Sequence, residues 1–464
     1  MSAHEVGKAA LEAIAKVDPI LNFTVQVFPE RVEALGRIPP QGIMAGVPTL
    51  LKDFYKFEKG TVSECGCMLT KGLVGWYDSE LVLRLRRAGM PILGRSSVPE
   101  LGWSSSCSTR INGITRNPWQ LETWPGGSSS GAAVAVAAGA VPIAHASDGA
   151  GSTRSPAAYQ GLVGLKPSRG RVSDAPGSSE AYASMSAHLA VTRTVRDTAV
   201  MLDVLSGPSP GDSHAITPPP RPFLEELGQP VRQLRIALDS RPLDGGAVDP
   251  VILAALQSTA RMLESMGHAI EPVDLPVSGE AVIASLHVIW SSAMAASLDF
   301  MGARVGREPG PDSLTRTTFA TYLDGKRTSA TRYVNALNEM NAIRRKMGEF
   351  QEGFDVILSP TTTMLAQKQD VHDQEADFDG LSWTRYMLQP EIFLPLHNIT
   401  GCPAISLPLH HTDGGAQIGM QLVGPFGDDA LLLRLAAELE RTLPWRSRRP
   451  PIHVANDLAG FCVA

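Results

Sequence analysis

A lysine, a run of serines and a turn of small residues are the groups in this sequence best suited to covalent chemistry. Lys52 sits near the end of GVPTLLKD (46–53). A strand-like apolar run precedes it and draws its ammonium toward a poorly solvated place. Desolvation lowers a lysine pKa until the neutral amine is a usable base. Ser128, Ser129 and Ser130 follow the glycine pair of WPGGSSSGAAVAVAAG. Gly149-Ala150-Gly151-Ser152 is a tight turn of small residues. Successive N–H groups in such a turn can converge on one concavity, as an oxyanion hole requires, with the closing serine beside it. Each signal alone is weak, since a lone lysine of this kind is more often a surface residue.

The Gly-Ser segment has other readings. A flexible linker would not be followed at once by a 14-residue apolar helix candidate. A phosphate cradle lacks the Lys-Ser/Thr pair of a P-loop. Gly127-Ser128-Ser129-Ser130-Gly131 matches the G-x-S-x-G nucleophile elbow. The residues before it, Leu121-Glu122-Thr123-Trp124-Pro125, include Glu and Pro and make a poor central strand. No HGG-type loop accompanies it.

Elements able to position these groups alternate between helix and strand. Ala9–Lys16, Ser79–Gly89 and Ile252–Met266 read as helices, the second with an imperfect period because Arg84, Arg86 and Arg87 interleave with leucines. Pro91-Ile92-Leu93 reads as a buried strand entering a turn at Gly94. Arg235–Leu238, Ile270–Val273 and Asp355–Leu358 are further strands. Such alternation indicates an α/β sheet. Gly207–Arg221 (GPSPGDSHAITPPPR) is either a linker or a surface loop.

The 464 residues include 43% hydrophobic and 19% charged residues. A large core follows, and length alone predicts two or three domains, with one large domain as the alternative. Formal net charge is -6 with no long basic run, so nucleic acid is not expected as a partner. The longest clean apolar stretch, Ala132–Ala144, is broken by Pro142 and too short to span a bilayer. No secretory h-region is seen in Met1–Val17, and five scattered cysteines (Cys65, Cys67, Cys107, Cys402, Cys462) suit reduced thiols in the cytoplasm. Cys65-x-Cys67 without a second ligand pair is a weak zinc signal. His372 and His410-His411 read as residues of solvated loops.

The chain resembles the amidase signature family of Ser-cis-Ser-Lys hydrolases. The likeness rests on an ordered set of blocks: GVPTLLKD (46–53), PILGRSSVPELG (91–102), TRNPWQ (115–120), PGGSSSGAA (125–133), SDGAGSTRSPAAYQGLVGLKPSRGRVS (147–173), DVILSPTT (355–362), NITGCPAISLPL (398–409) and GMQLVGPFGDDALLLRLA (419–436). It implies one α/β domain over 1–464, with about eleven strands in a mixed twisted sheet and helices on both faces. The signature core would span about 46–173 and the variable pocket region about 207–395. Position by position, the resemblance makes Lys52 the base, Ser128 the bridging serine after a cis peptide bond, and Ser152 the nucleophile. It makes the amides of Gly149, Ala150, Gly151 and Ser152 the oxyanion donors, with Ala150 standing where the family has glycine. Asp148 and Arg154 would brace the turn, and Ser129 would support the loop. No metal or cofactor is called for.

The implied reaction is hydrolysis of small aryl or aliphatic amides through an acyl-enzyme, as in bacterial xenobiotic and nylon-oligomer amidases. Carbamate or ester cleavage by the same groups is the alternative, and a glutamine amidotransferase subunit a further rival. The partner is the small substrate, with no membrane, and a homodimer is left open. Substrate choice would fall to Cys107, to Leu286–Met294 with Trp290, and to Phe378–Leu394, with Trp103, Trp290 and Trp383 as an aromatic wall.

Overall fold

The computed structural model describes residues 1–177 and 180–459; Cys462 lies outside them. Eleven strands join one sheet. In chain order they are β1 (Thr24–Val27), β2 (Thr49–Lys52), β3 (Ile92–Ser96), β4 (Ile143–Asp148), β5 (Val163–Lys166), β6 (Ala187–Thr192), β7 (Arg235–Leu238), β8 (Ala269–Pro272), β9 (Val356–Pro360), β10 (Ala404–His411) and β11 (Gln417–Val423). Their order across the sheet is β1-β3-β2-β4-β6-β5-β10-β11-β9-β7-β8. The pairs β3–β2, β2–β4, β9–β7 and β7–β8 are parallel and the rest antiparallel, so the sheet is mixed. Gly207–Arg221 therefore does not divide two sheets: strands before and after it belong to the same one.

Alternation along β2 and β3 feeds two hydrophobic layers. Leu50 and Leu93 enter one layer, with the helices Ala3–Leu21 and Ser130–Ala137; Leu51 and Ile92 enter the other, with the helices toward the C-terminus. Ala3–Leu21 is longer at both ends than the Ala9–Lys16 core of the pattern. Ser2 accepts from the Glu5 amide while the Glu5 side chain accepts from the Ser2 amide, a capping box that starts the helix early.

Three local expectations need correction. Gly94 is inside β3 rather than at a turn. A Cβ there would lie 2.2 Å from the Gln26 carbonyl oxygen, so the glycine admits close pairing with β1. The apolar run after Ser130 is not one helix. It is helical only over Ser130–Ala137, Gly139 turns the chain at φ +80°, and after Pro142 the run becomes the buried strand β4. His372 is buried, its ring 4.6 Å from that of Trp124 and 4.9 Å from that of Tyr386, rather than solvated. His410 and His411 end β10 instead of lying in a loop; His410 is half-buried with Nε2 2.8 Å from Thr259 Oγ1, and His411 is exposed.

Arg84 explains the irregular period of the helix Glu80–Arg87. It is buried because its guanidinium donates to the Leu205 carbonyl and to Glu80. The 27-residue helix Gly279–Val305 is long and apolar enough to cross a membrane, and 72% of its most apolar window is buried inside the protein. Its apolarity follows from neighbours on nearly all sides.

Candidate active site

β2 lies third from one edge of the sheet and ends in Lys52, whose side chain is on the Leu50 side, facing the loop before the helix Ser130–Ala137. The residue is fully buried. Its Nζ lies 2.9 Å from each of three hydroxyls, those of Ser128, Ser129 and Ser147. Burial pushes its pKa down to about 7, and the more distant Asp148 carboxylate offsets only part of that shift. A neutral amine has two N–H groups and one lone pair. One of the three hydroxyls can therefore donate to Nζ. Ser129 is engaged elsewhere: its hydroxyl donates to the Ser147 carbonyl at 3.3 Å and accepts from the Ser147 amide at 3.3 Å. The lone pair is thus left to Ser128 or Ser147.

The Gly127–Ser128 peptide bond is cis. Gly127 packs so closely on the Ser104–Ser105 backbone that a Cβ would lie 2.2 Å from the Ser104 carbonyl oxygen. Ser129 donates its amide to the Ser152 carbonyl at 3.2 Å, which ties the serine run to the small-residue turn. Ser128 and Ser152 line the same cavity, and Lys52 sits behind Ser128, out of the wall. The chain of contacts is open at one step. Among the described residues Ser152 Oγ has no hydrogen-bond partner, so Lys52–Ser128 is formed and Ser128–Ser152 is not. Contacts of this kind are often loose before substrate binds.

At the turn, no hydrogen bond among the described residues occupies the amides of Gly149, Ala150 or Ser152, and all three residues line the cavity. Gly151 differs from expectation. Its amide donates to Asp148 Oδ1 at 2.7 Å, so it holds the turn closed instead of facing a ligand. Its φ is +135°, and a Cβ would lie 2.5 Å from Leu394 Cδ1.

Asp148 and Arg154 form a fully buried ion pair, Nη2 to Oδ1 at 2.8 Å and Nε to Oδ2 at 2.9 Å. Burial alone would raise the carboxyl, but the Arg154 charge and hydrogen bonds hold it well below the usual carboxylate range. Arg154 also donates to the Leu394 carbonyl and to Gln421 Oε1, and Asn398 donates to Asp148. The turn is thereby anchored to β11 and to the helix Pro395–Thr400. Arg154→Met leaves the Asp148 charge buried and unpaired. A loss of about 3–5 kcal/mol is expected in urea-induced unfolding; an unchanged midpoint would show that the pair does not brace the turn.

The cavity has a volume of about 490 Å³. Trp103 and Trp290 both line it, edge to face at 5.0 Å between ring centres. Trp383 does not. It is fully buried behind Trp103, to whose carbonyl its Nε1 donates at 3.1 Å. Cys107 is also absent from the wall, buried near Ser97. Leu286–Met294 contributes Trp290 and Met294, and Phe378–Leu394 contributes Met387, Leu388 and Glu391. Sequence reading passed over much of the aromatic wall: Phe54, Tyr55, Phe57, Trp76 and Tyr77. The aromatic density just after Lys52 is the signal for Phe54, Tyr55 and Phe57, while Trp76 and Tyr77 lie farther along the chain. It also passed over Ser147, which nothing but its position in β4 marks out. Burial holds Cys65 as a thiol, pushing it up to about 12, and pushes Cys67 well up too.

A family model described as Amidase matches residues 5–433. The chain belongs to the amidase family. It is an enzyme that hydrolyses amide C–N bonds. A 6-aminohexanoate-cyclic-dimer hydrolase of Paenarthrobacter ureafaciens is 32% identical to this amidase over 97% of the chain and 94% of the relative. The solved structure of a 6-aminohexanoate cyclic dimer hydrolase complexed with substrate superposes with a TM-score of 0.92 at 31% identity, covering 97% of this chain and 96% of the other. A bacterial aryl acylamidase of the amidase signature family matches with a TM-score of 0.86 at 26% identity, covering 97% and 96%.

Proposed function

We propose that this amidase cleaves its substrate through an acyl-enzyme formed on Ser152. Ser152 Oγ attacks the amide carbonyl carbon and passes its proton to Ser128, which passes its own to neutral Lys52. The amides of Gly149, Ala150 and Ser152 receive the developing oxyanion, and one such donor contributes about 3 kcal/mol. As the C–N bond breaks, the proton returns from Lys52 through Ser128 to the leaving nitrogen. Water, deprotonated by the same pair, then releases the acid. The observation that carries this reading is the buried amine of Lys52 at 2.9 Å from Ser128, with Ser128 and Ser152 in one cavity wall.

The substrate class we infer is a small amide with an apolar body, as in the cyclic 6-aminohexanoate dimer or an aryl amide named for the relatives. The aromatic lining supports it, since such walls bind flat or methylene-rich groups. Carbamates and esters present the same carbonyl to the same groups. A hydrolysis panel tests the reading with the 6-aminohexanoate cyclic dimer, linear aliphatic amides, anilides, aryl carbamates and glutamine. Apolar amides should turn over at least about tenfold better than glutamine. Glutamine as the best substrate would overturn the inferred class in favour of ammonia release.

A further inference from the structure

Glu391 is a carboxylate in the wall of an otherwise largely apolar cavity. It lies at the end of the short helical turn Gln389–Glu391 and is 7% exposed. Its Oε1 accepts from the hydroxyls of Ser105 and Ser155, the latter at 2.6 Å. Its Oε2 has no hydrogen-bond partner, and Glu391 forms no salt bridge, among the described residues. Burial without a paired cation pushes its pKa up to about 7. An acid held in place on one oxygen, with the other unpaired beside a cavity, is a site for a hydrogen donor that arrives with the ligand.

Two contacts locate it relative to the reaction. Ser155 is in the first turn of the helix Arg154–Gln160, which starts just after Ser152. Ser105 packs against Gly127, the residue before Ser128. Ser128 is the group that returns a proton to the departing nitrogen, so this stretch of wall lies on the leaving-group side. We propose that Glu391 sets specificity by accepting a hydrogen from a second nitrogen on the leaving-group side of the substrate, an amide N–H or an ammonium. This rests on the acyl-enzyme reading and deepens it: the preferred substrate carries more than one nitrogen, whereas a simple alkyl amide leaves Oε2 without a partner.

The test uses hexanamides whose nitrogen bears a chain of two to six carbons ending in methyl, acetamide or ammonium. With the unsubstituted enzyme, one length of nitrogen-ended chain should exceed its methyl-ended counterpart by about tenfold or more in kcat/KM, chiefly through KM. Glu391→Gln should reduce the ammonium preference by about tenfold and the acetamide preference by less, because the amide oxygen still accepts. Glu391→Leu should remove both. Equal rates for all three endings at every length, or preferences that persist in both variants, would overturn the proposal. Fluorophosphonate labelling is followed in parallel. Absence of label on the unsubstituted enzyme would count against the acyl-enzyme itself, and a labelled enzyme without nitrogen preference against Glu391 alone.

Discussion

Ser152→Ala is expected to lower kcat/KM for any amide substrate by about 10⁴-fold or more, while leaving the protein folded. The fold should tolerate it because Ser152 Oγ has no hydrogen-bond partner among the described residues, so no donor or acceptor is orphaned. The turn's shape depends on Gly151 and on the Asp148–Arg154 pair, which the substitution does not touch. Activity should not tolerate it, since the alanine variant has no atom to carry the acyl group. Residual turnover would come from direct attack of water on the substrate carbonyl, with the free amides of the turn holding the oxyanion. A variant retaining a tenth of the original kcat/KM would show that the attacking atom lies elsewhere, with Ser128 next in the same wall.

Lys52→Ala is the second large effect, about 10²–10⁴-fold on an alkyl amide, the range general acid–base catalysis supplies. An alkyl amine is a poor leaving group and needs the returned proton; an aryl ester does not. The loss should therefore be at least about tenfold smaller for an aryl ester. Equal losses on both would mean that the variant had damaged the turn instead of the proton path. The pH dependence has a definite sign. Burial lowers the Lys52 pKa from its ordinary value to about 7. Below that pH the ammonium has no lone pair and cannot accept a proton. kcat/KM should rise about tenfold per pH unit up to about 7 and then level off. Lys166 is also buried with a pKa lowered to about 7, but it bonds to the Pro167 carbonyl and is not among the cavity-lining residues. Lys166→Met should keep the inflection. Its disappearance there would reassign the titration.

Much of the site was legible because its parts are governed by neighbours in the chain. A strand-forming apolar run draws the lysine that follows it toward the interior, and a turn of glycine and alanine can present amides to a ligand. Lys52 and the turn closed by Ser152 carry such local signals, whereas Ser128 is picked out only by the ordered blocks. The rest depended on contacts distant in sequence. Gly94 is permitted in mid-strand by the approach of Gln26, which no local pattern encodes. The small-residue pattern makes Gly151 one more oxyanion donor, but its amide is bonded to Asp148, a contact no turn pattern encodes. Trp383 and Cys107 are the right residue types for a wall but are covered, by Trp103 and by the Ser97 region. Glu391 sits in a segment expected to set specificity. Its meaning comes from two serines far away in sequence, Ser105 and Ser155. The split of Ala132–Ala144 between helix and strand turned on Gly139 and Pro142, since Ala and Val fit either element when buried on all sides.

Peptide mapping after reaction with a fluorophosphonate, read by mass spectrometry, tests the assigned nucleophile most directly. One phosphonyl group should appear on Ser152, label much more slowly in Lys52→Ala, and vanish in Ser152→Ala. A label carried by Ser128, Ser129 or Ser147, or one that survives in Ser152→Ala, would contradict the assignment of the attacking hydroxyl and the proton path built on it.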